Sequence, residues 1–131
     1  MDAGAIVGLD HVQVAAPPAC EGAARSFYGS LLGLEELEKP TLLAVRGGAW
    51  FRLGAHELHV GAVEPFTPAT KAHPGLQVAS REALVVLADR LAAAGHEVEW
   101  ADPDELPGRA RFHVHDPWGN RLELLARVHA S

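Results

Sequence analysis

"GLDHVQVA", Gly8–Ala15, sets His11 and Gln13 on one side of an alternating run and Val12 and Val14 on the other. That is the period-two pattern of a strand with one covered and one open face. "HPGLQVA", His73–Ala79, brings the same motif back 62 residues after His11. Between the two lie "EGAARSFYGSLLG", with Ala23, Ala24, Phe27, Tyr28, Leu31 and Leu32 at helical spacing before Gly33, and then "LEELEK", the loop-like "PTLLAVRGG", "AWFRLG" and "HELHVGAV". The last two alternate and pair as a hairpin, so the order reads βαβββ.

The second round keeps that order. After the Pro-containing connector, "GLQVAS" ends in Ser80, a helix cap, and Leu84, Leu87, Leu91 and Ala94 run into Gly95, itself 62 residues after Gly33. "HEVEWA", "ARFHVH" and "RLELLAR" supply three strands, the last two joined by the turn "DPWGN". The expectation is an α+β domain over 1–131 with two pseudo-symmetric βαβββ modules, about 6–63 and 73–128, linked by 64–72. Neither module is large enough to be stable alone.

Alternation separates two faces in nearly every strand. Val12, Val14, Leu58, Val60, Leu76, Val78, Phe112, Val114, Leu122 and Leu124 need cover and should meet the helices. The opposite set is His11, Gln13, Glu57, His59, His73, Gln77, Arg111, His113, His115, Arg121 and Glu123. A strand face open to water usually carries Lys, Thr, Ser and Glu. This one is rich in imidazole, and imidazole with carboxylate is a ligand set for divalent metal, so two mixed sheets curved around a cleft are expected.

Composition narrows the partners. With 131 residues, 48% apolar and 21% charged, the chain suffices for one core. Its 11 Lys+Arg against 17 Asp+Glu give a net charge of -6, and no basic run offers a footprint for nucleic acid. No apolar stretch approaches the roughly 18 residues of a membrane span, and no basic-then-apolar leader opens the chain, so a cytoplasmic protein is expected. The single cysteine, Cys20, excludes an internal disulfide and reads as a small packing residue. His56, His96, His115 and His129 have no partner in the pattern and are expected at the surface.

"GLDHVQVA", "FYGSLLGLE", "KAHPGLQV" and above all "FHVHDPWGNRLELLA" resemble the vicinal-oxygen-chelate superfamily. That superfamily groups glyoxalase I, fosfomycin-resistance thiol transferases, extradiol dioxygenases, methylmalonyl-CoA epimerase and bleomycin-resistance proteins. The resemblance covers about the whole chain and implies paired βαβββ modules. It implies a metal held by His11, His73 and Glu123, with Glu57 or His59 as a fourth ligand, and leaves open whether the ion is Zn, Ni, Mn or Fe. Two His and one carboxylate leave positions for adjacent oxygens of a small-molecule substrate. Glu123 or Glu57 would then act as general base. Gln13, Trp50, His59, Arg111 and His113 are candidate substrate contacts. The expected activity is lyase, isomerase or transferase chemistry, with a non-catalytic drug-binding protein of the bleomycin-resistance kind and an extradiol dioxygenase as alternatives. The resemblance also implies a homodimer.

Overall fold

A strand that begins each half of the chain ends up beside the last strand of the same half, parallel to it. In the computed structural model, which describes residues 4–128, the first half runs β1 (His11–Ala16), α1 (Glu21–Ala24), a π-helical continuation over Arg25–Leu31, β2 (Glu36–Leu37), α2 (Thr41–Ala44), β3 (Ala49–Leu53) and β4 (His56–Ala62). The second runs β5 (Gly75–Gln77), α3 (Arg81–Ala93), β6 (Glu99–Trp100), β7 (Arg109–His115) and β8 (Arg121–Arg127). The strands form two four-stranded mixed sheets, β1-β4-β3-β2 and β5-β8-β7-β6. In each, the first-listed pair is parallel and the others are antiparallel.

Local chemistry accounts for these boundaries. Ser80 is extended, and its Oγ accepts the Ala83 N–H at 3.1 Å, satisfying a donor at the start of α3. At the other end Gly95 takes φ 93°, and its N–H and that of His96 bond the carbonyls of Ala92 and Leu91, a Schellman close. The first helix departs from the expected winding. Its apolar pairs recur every fourth residue (Ala23/Ala24, Phe27/Tyr28, Leu31/Leu32), and a wider turn keeps such pairs together, with Leu32 N–H bonding Phe27 O. Phe27 and Tyr28 are consecutive and both fully buried.

Two further details differ from the pattern reading. "PTLLAVRGG" contains the one-turn helix α2, which Pro40 introduces. The chain then passes close against β4 at Gly48, where a Cβ would lie 2.1 Å from the Val60 carbonyl oxygen. The register is also offset between halves: His11 pairs with Glu57, whereas Glu123 pairs with Gly75, two residues beyond His73. Pro74 has no N–H for a ladder, so β5 starts after it and His73 stands just outside the strand. His56 and His115 are exposed, His96 packs on the Phe27 ring with centroids 5.0 Å apart, and His129 lies outside the described residues.

One contiguous core serves both halves. Val14, Phe51, Leu58 and Val60 of the first sheet join Leu76, Phe112, Val114, Leu122 and Leu124 of the second, with Phe27, Tyr28, Leu84 and Leu91 from the helices. A buried polar hub ties the halves at the "DPWGN" turn, which the sequence presents simply as a turn. Asp116 Oδ2 accepts from Tyr28 Oη at 2.7 Å and Asn120 Nδ2 at 2.9 Å, while Oδ1 accepts the N–H groups of Trp118 and Asn120. Asn120 also donates to the Ala15 carbonyl at 2.7 Å and accepts from the Ala69 N–H at 3.0 Å. Burial and the neighbouring Asp116 hold the Tyr28 hydroxyl well above its ordinary pKa, so it serves as a neutral donor.

Tyr28→Phe keeps the ring and removes one donor from a buried carboxylate. The expected loss is about 1–3 kcal/mol of unfolding free energy, read from urea denaturation; an unchanged midpoint would mean the hub is not holding the halves. Cys20 is 2% exposed, and burial, followed by the adjacent Glu21, pushes its thiol up to about 11. It should therefore resist iodoacetamide at neutral pH in the native protein and react once the chain is unfolded.

Candidate metal and substrate site

On the first sheet, the register of β1, β4 and β3 sets His59 opposite Gln13 on one side and Trp50 on the other. Three rings stack as a result. Trp50 and His59 are parallel to within 2° at 4.0 Å between centroids, and His59 and His11 follow at 4.4 Å and 19°. With both faces covered, the His59 side chain is only 8% exposed, and its Nε2 lies 2.8 Å from Glu57 Oε1. His11 closes the stack, with Nδ1 at 3.0 Å from Asp10 Oδ2. A carboxylate accepts, so Nδ1 carries the proton, and in the neutral ring Nε2 keeps the lone pair. The Gln13 amide folds over Gly61, where a Cβ would come within 2.7 Å of its Nε2. These side chains floor a cavity of about 520 Å³ whose remaining wall is Lys39, Leu43, Arg46 and Gly47.

The open face of the second sheet centres on Glu123. It lies opposite His113 across β7–β8, and its Oε1 is 3.0 Å from His113 Nε2, 3.2 Å from an Arg111 guanidinium nitrogen and 3.5 Å from His73 Nε2. His73 Nδ1 donates to the Lys71 carbonyl at 2.9 Å, which again leaves Nε2 as the lone-pair nitrogen. Arg111 reaches Glu105 with a second nitrogen at 3.7 Å, and its buried Nε has no hydrogen-bond partner among the described residues. Burial lowers the His113 pKa, with help from nearby Arg121, against the pull of Glu123; the ring is thus biased to the neutral form that can ligate. One ligand atom each from His73, His113 and Glu123 lies within 4.8 Å of the other two, a group placed to hold a metal ion.

The two faces carry parallel equipment. Each has a histidine with Nδ1 held by an acceptor (His11, His73), a glutamate on the strand that closes its half (Glu57, Glu123), and a second histidine against that glutamate (His59, His113). Within one chain the structure brings His73 and Glu123 together, joined by Arg111 and His113. His11, Glu57, His59, Gln13 and Trp50 gather on the other sheet, and neither His11 nor Glu57 belongs to a ligand group of this kind among the described residues. Asp10, Lys39, Arg46 and Glu105 are contributors that the alternation pattern does not single out. Asp10 adjoins His11 in sequence, a readable hint; the other three sit outside the alternating strands.

No curated protein matches the chain. Among solved structures, a glyoxalase family protein from Bacillus anthracis is 44% identical, with a TM-score of 0.86 over 94% of this chain and 97% of its own. The fosfomycin resistance protein FosX from Listeria monocytogenes, solved with Mn(II) and a dihydroxypropylphosphonic acid, is 18% identical, with a TM-score of 0.75 over 94% of each chain. A glyoxalase/dioxygenase from Nostoc punctiforme is also 18% identical, with a TM-score of 0.77 over 98% of this chain and 97% of its own. At that identity the last two speak for the fold. The family model for the Glyoxalase/Bleomycin resistance protein/Dioxygenase superfamily matches residues 8–124, and the chain belongs to that superfamily.

Proposed function

We propose that the protein is a divalent-metal-dependent enzyme that binds adjacent oxygens of a small molecule and carries out lyase, isomerase or transferase chemistry on it. His73 and Glu123 would hold the ion with His11, and Glu57 is the candidate fourth ligand. The observation that carries this reading is the state of the two histidines. In both His11 and His73 an acceptor takes the Nδ1 proton, the arrangement that orients an imidazole and keeps Nε2 basic for a metal. When bound, a divalent ion would stabilise negative charge developing on substrate oxygens. Glu57 is 39% exposed at its side chain and touches His59, so it is accessible to receive a substrate proton and has a partner to steady it. Arg111 beside Glu123 offsets the carboxylate charge.

Because His11 stands on the other sheet from His73 and Glu123, we place the completed site between two copies of the chain. Surface chemistry supports a homodimer. Ile6, Val7 and Leu9, immediately before His11, are 90%, 95% and 63% exposed, and Leu42 and Val45 of the segment beside the cavity are 86% and 87% exposed. Apolar side chains so grouped are usually covered by a partner. One observation favours a drug- or metabolite-binding protein without chemistry: Glu123 already receives Arg111 and His113, so its charge is balanced by neighbouring side chains.

Metal analysis of protein equilibrated with Zn, Mn, Ni or Fe separates the two. The enzyme reading expects near-stoichiometric metal in the parent and loss in His11→Ala, His73→Ala and Glu123→Gln; a metal-free parent supports the binding protein. Mixing His11→Ala with Glu123→Gln chains after co-refolding should restore metal to about a quarter of the sites, because half the dimers then contain one intact pairing. No recovery would place the site within one chain.

A further inference from the structure

The cavity on the first sheet contains a charge arrangement that the metal reading leaves unused. Its two acids are engaged, Asp10 by His11 and Glu57 by His59. Its two cations are not so engaged: neither Lys39 nor Arg46 has an acidic partner among the described residues, and Lys39 bonds only the Gly47 carbonyl. Both line the cavity from the 39–47 segment. The floor adds a half-buried indole, Trp50, held flat by its parallel stack on His59. It also adds the Gln13 amide, which has no side-chain hydrogen bond among the described residues and is folded down into the space that Gly61 leaves. Two cations without carboxylate partners, one rigid aromatic surface and one amide make a complementary set for a flat organic anion.

We infer that this cavity binds a planar, unsaturated or aromatic carboxylate, with its carboxylate at Lys39 and Arg46 and its flat body along Trp50. The inference deepens the proposed function by naming the substrate class, and it rests on that reading only in taking the cavity as the substrate wall of the metal site. The cavity itself is built by a single chain, so its ligand preference can be read without metal.

The probes are cinnamate and its uncharged counterpart cinnamamide, titrated calorimetrically into protein stripped of metal. Cinnamate is expected to bind about tenfold more tightly than the amide, the worth of a charge-assisted contact. That preference should shrink as salt rises from about 0.05 to about 0.5 M. In a Lys39→Met/Arg46→Met variant cinnamate should fall to the level of the amide. Trp50→Ala should weaken both, with Trp50→Phe, which keeps a ring, retaining most of the binding and guarding against a misfolded variant. Equal binding of acid and amide, no binding of either, or a preference that survives loss of both cations overturns the inference. Metal analysis of the same parent protein, run in parallel, separates the two claims. A parent that takes metal yet ignores cinnamate sinks this inference alone; a parent that prefers cinnamate yet takes no metal sinks only the enzyme reading.

Discussion

Everything in this molecule follows from one shared core. Each sheet turns an apolar face inward, and the two faces close with the helices into a single cluster. The consequence is directional. Once the apolar residues of alternating strands turn toward a common interior, the intervening polar residues must turn away from it. His11, Gln13, Glu57 and His59 therefore share one open surface, and Arg111, His113 and Glu123 another. The hub of Tyr28, Asp116 and Asn120 fixes how the halves meet, because a buried carboxylate needs its donors in place and they come from both halves.

Much of this is readable from residue order. The alternating runs and the two glycine stops specify the βαβββ order, since a helix that ends in a left-handed glycine and strands that alternate leave few other arrangements. The apolar set of the long strands lies in the core or, as with Val12, packs against it. Three things escape pattern reading for physical reasons. A π-helical turn differs from an α-helical one by less than a residue per turn, and only the every-fourth spacing of Phe27/Tyr28 and Leu31/Leu32 hints at it. The two-residue difference in register, with Glu57 opposite His11 but Glu123 opposite Gly75, is a property of strand pairing that alternation along one strand does not encode. The inter-half role of Asp116 and Asn120 depends on Tyr28 and Ala15, 88 and 105 residues away in sequence from their partners.

The candidate site is legible in kind and less so in arrangement. Residue type and alternation identify which histidines and glutamates share a face. They carry no information on which nitrogen of an imidazole is protonated, and that is decided by neighbours: Asp10 for His11, the Lys71 carbonyl for His73. Nor does alternation register segment 39–47, whose contribution to the cavity is made by a loop and a single helical turn. Loops reach sites by geometry that no strand periodicity encodes.

The two open faces are built on one plan but are chemically unequal, and the inequality suggests a division of labour. On the second sheet the glutamate faces two histidines and a largely buried arginine, so a single negative charge is balanced from several sides and held still. Such rigidity suits ligand duty, where the carboxylate must keep a fixed position. On the first sheet the corresponding glutamate touches one histidine, which is itself clamped between two rings, and remains partly open to water. That environment suits a group that must gain and lose a proton while its partner stays fixed. A site drawing on both faces would thus combine a charge-balanced anchor with a partly solvated acid–base. Varying a few side chains between two modules of one plan, His113 against Arg52 opposite the glutamate and Arg111 against Trp50 one pair further along the ladder, would be enough to separate those roles.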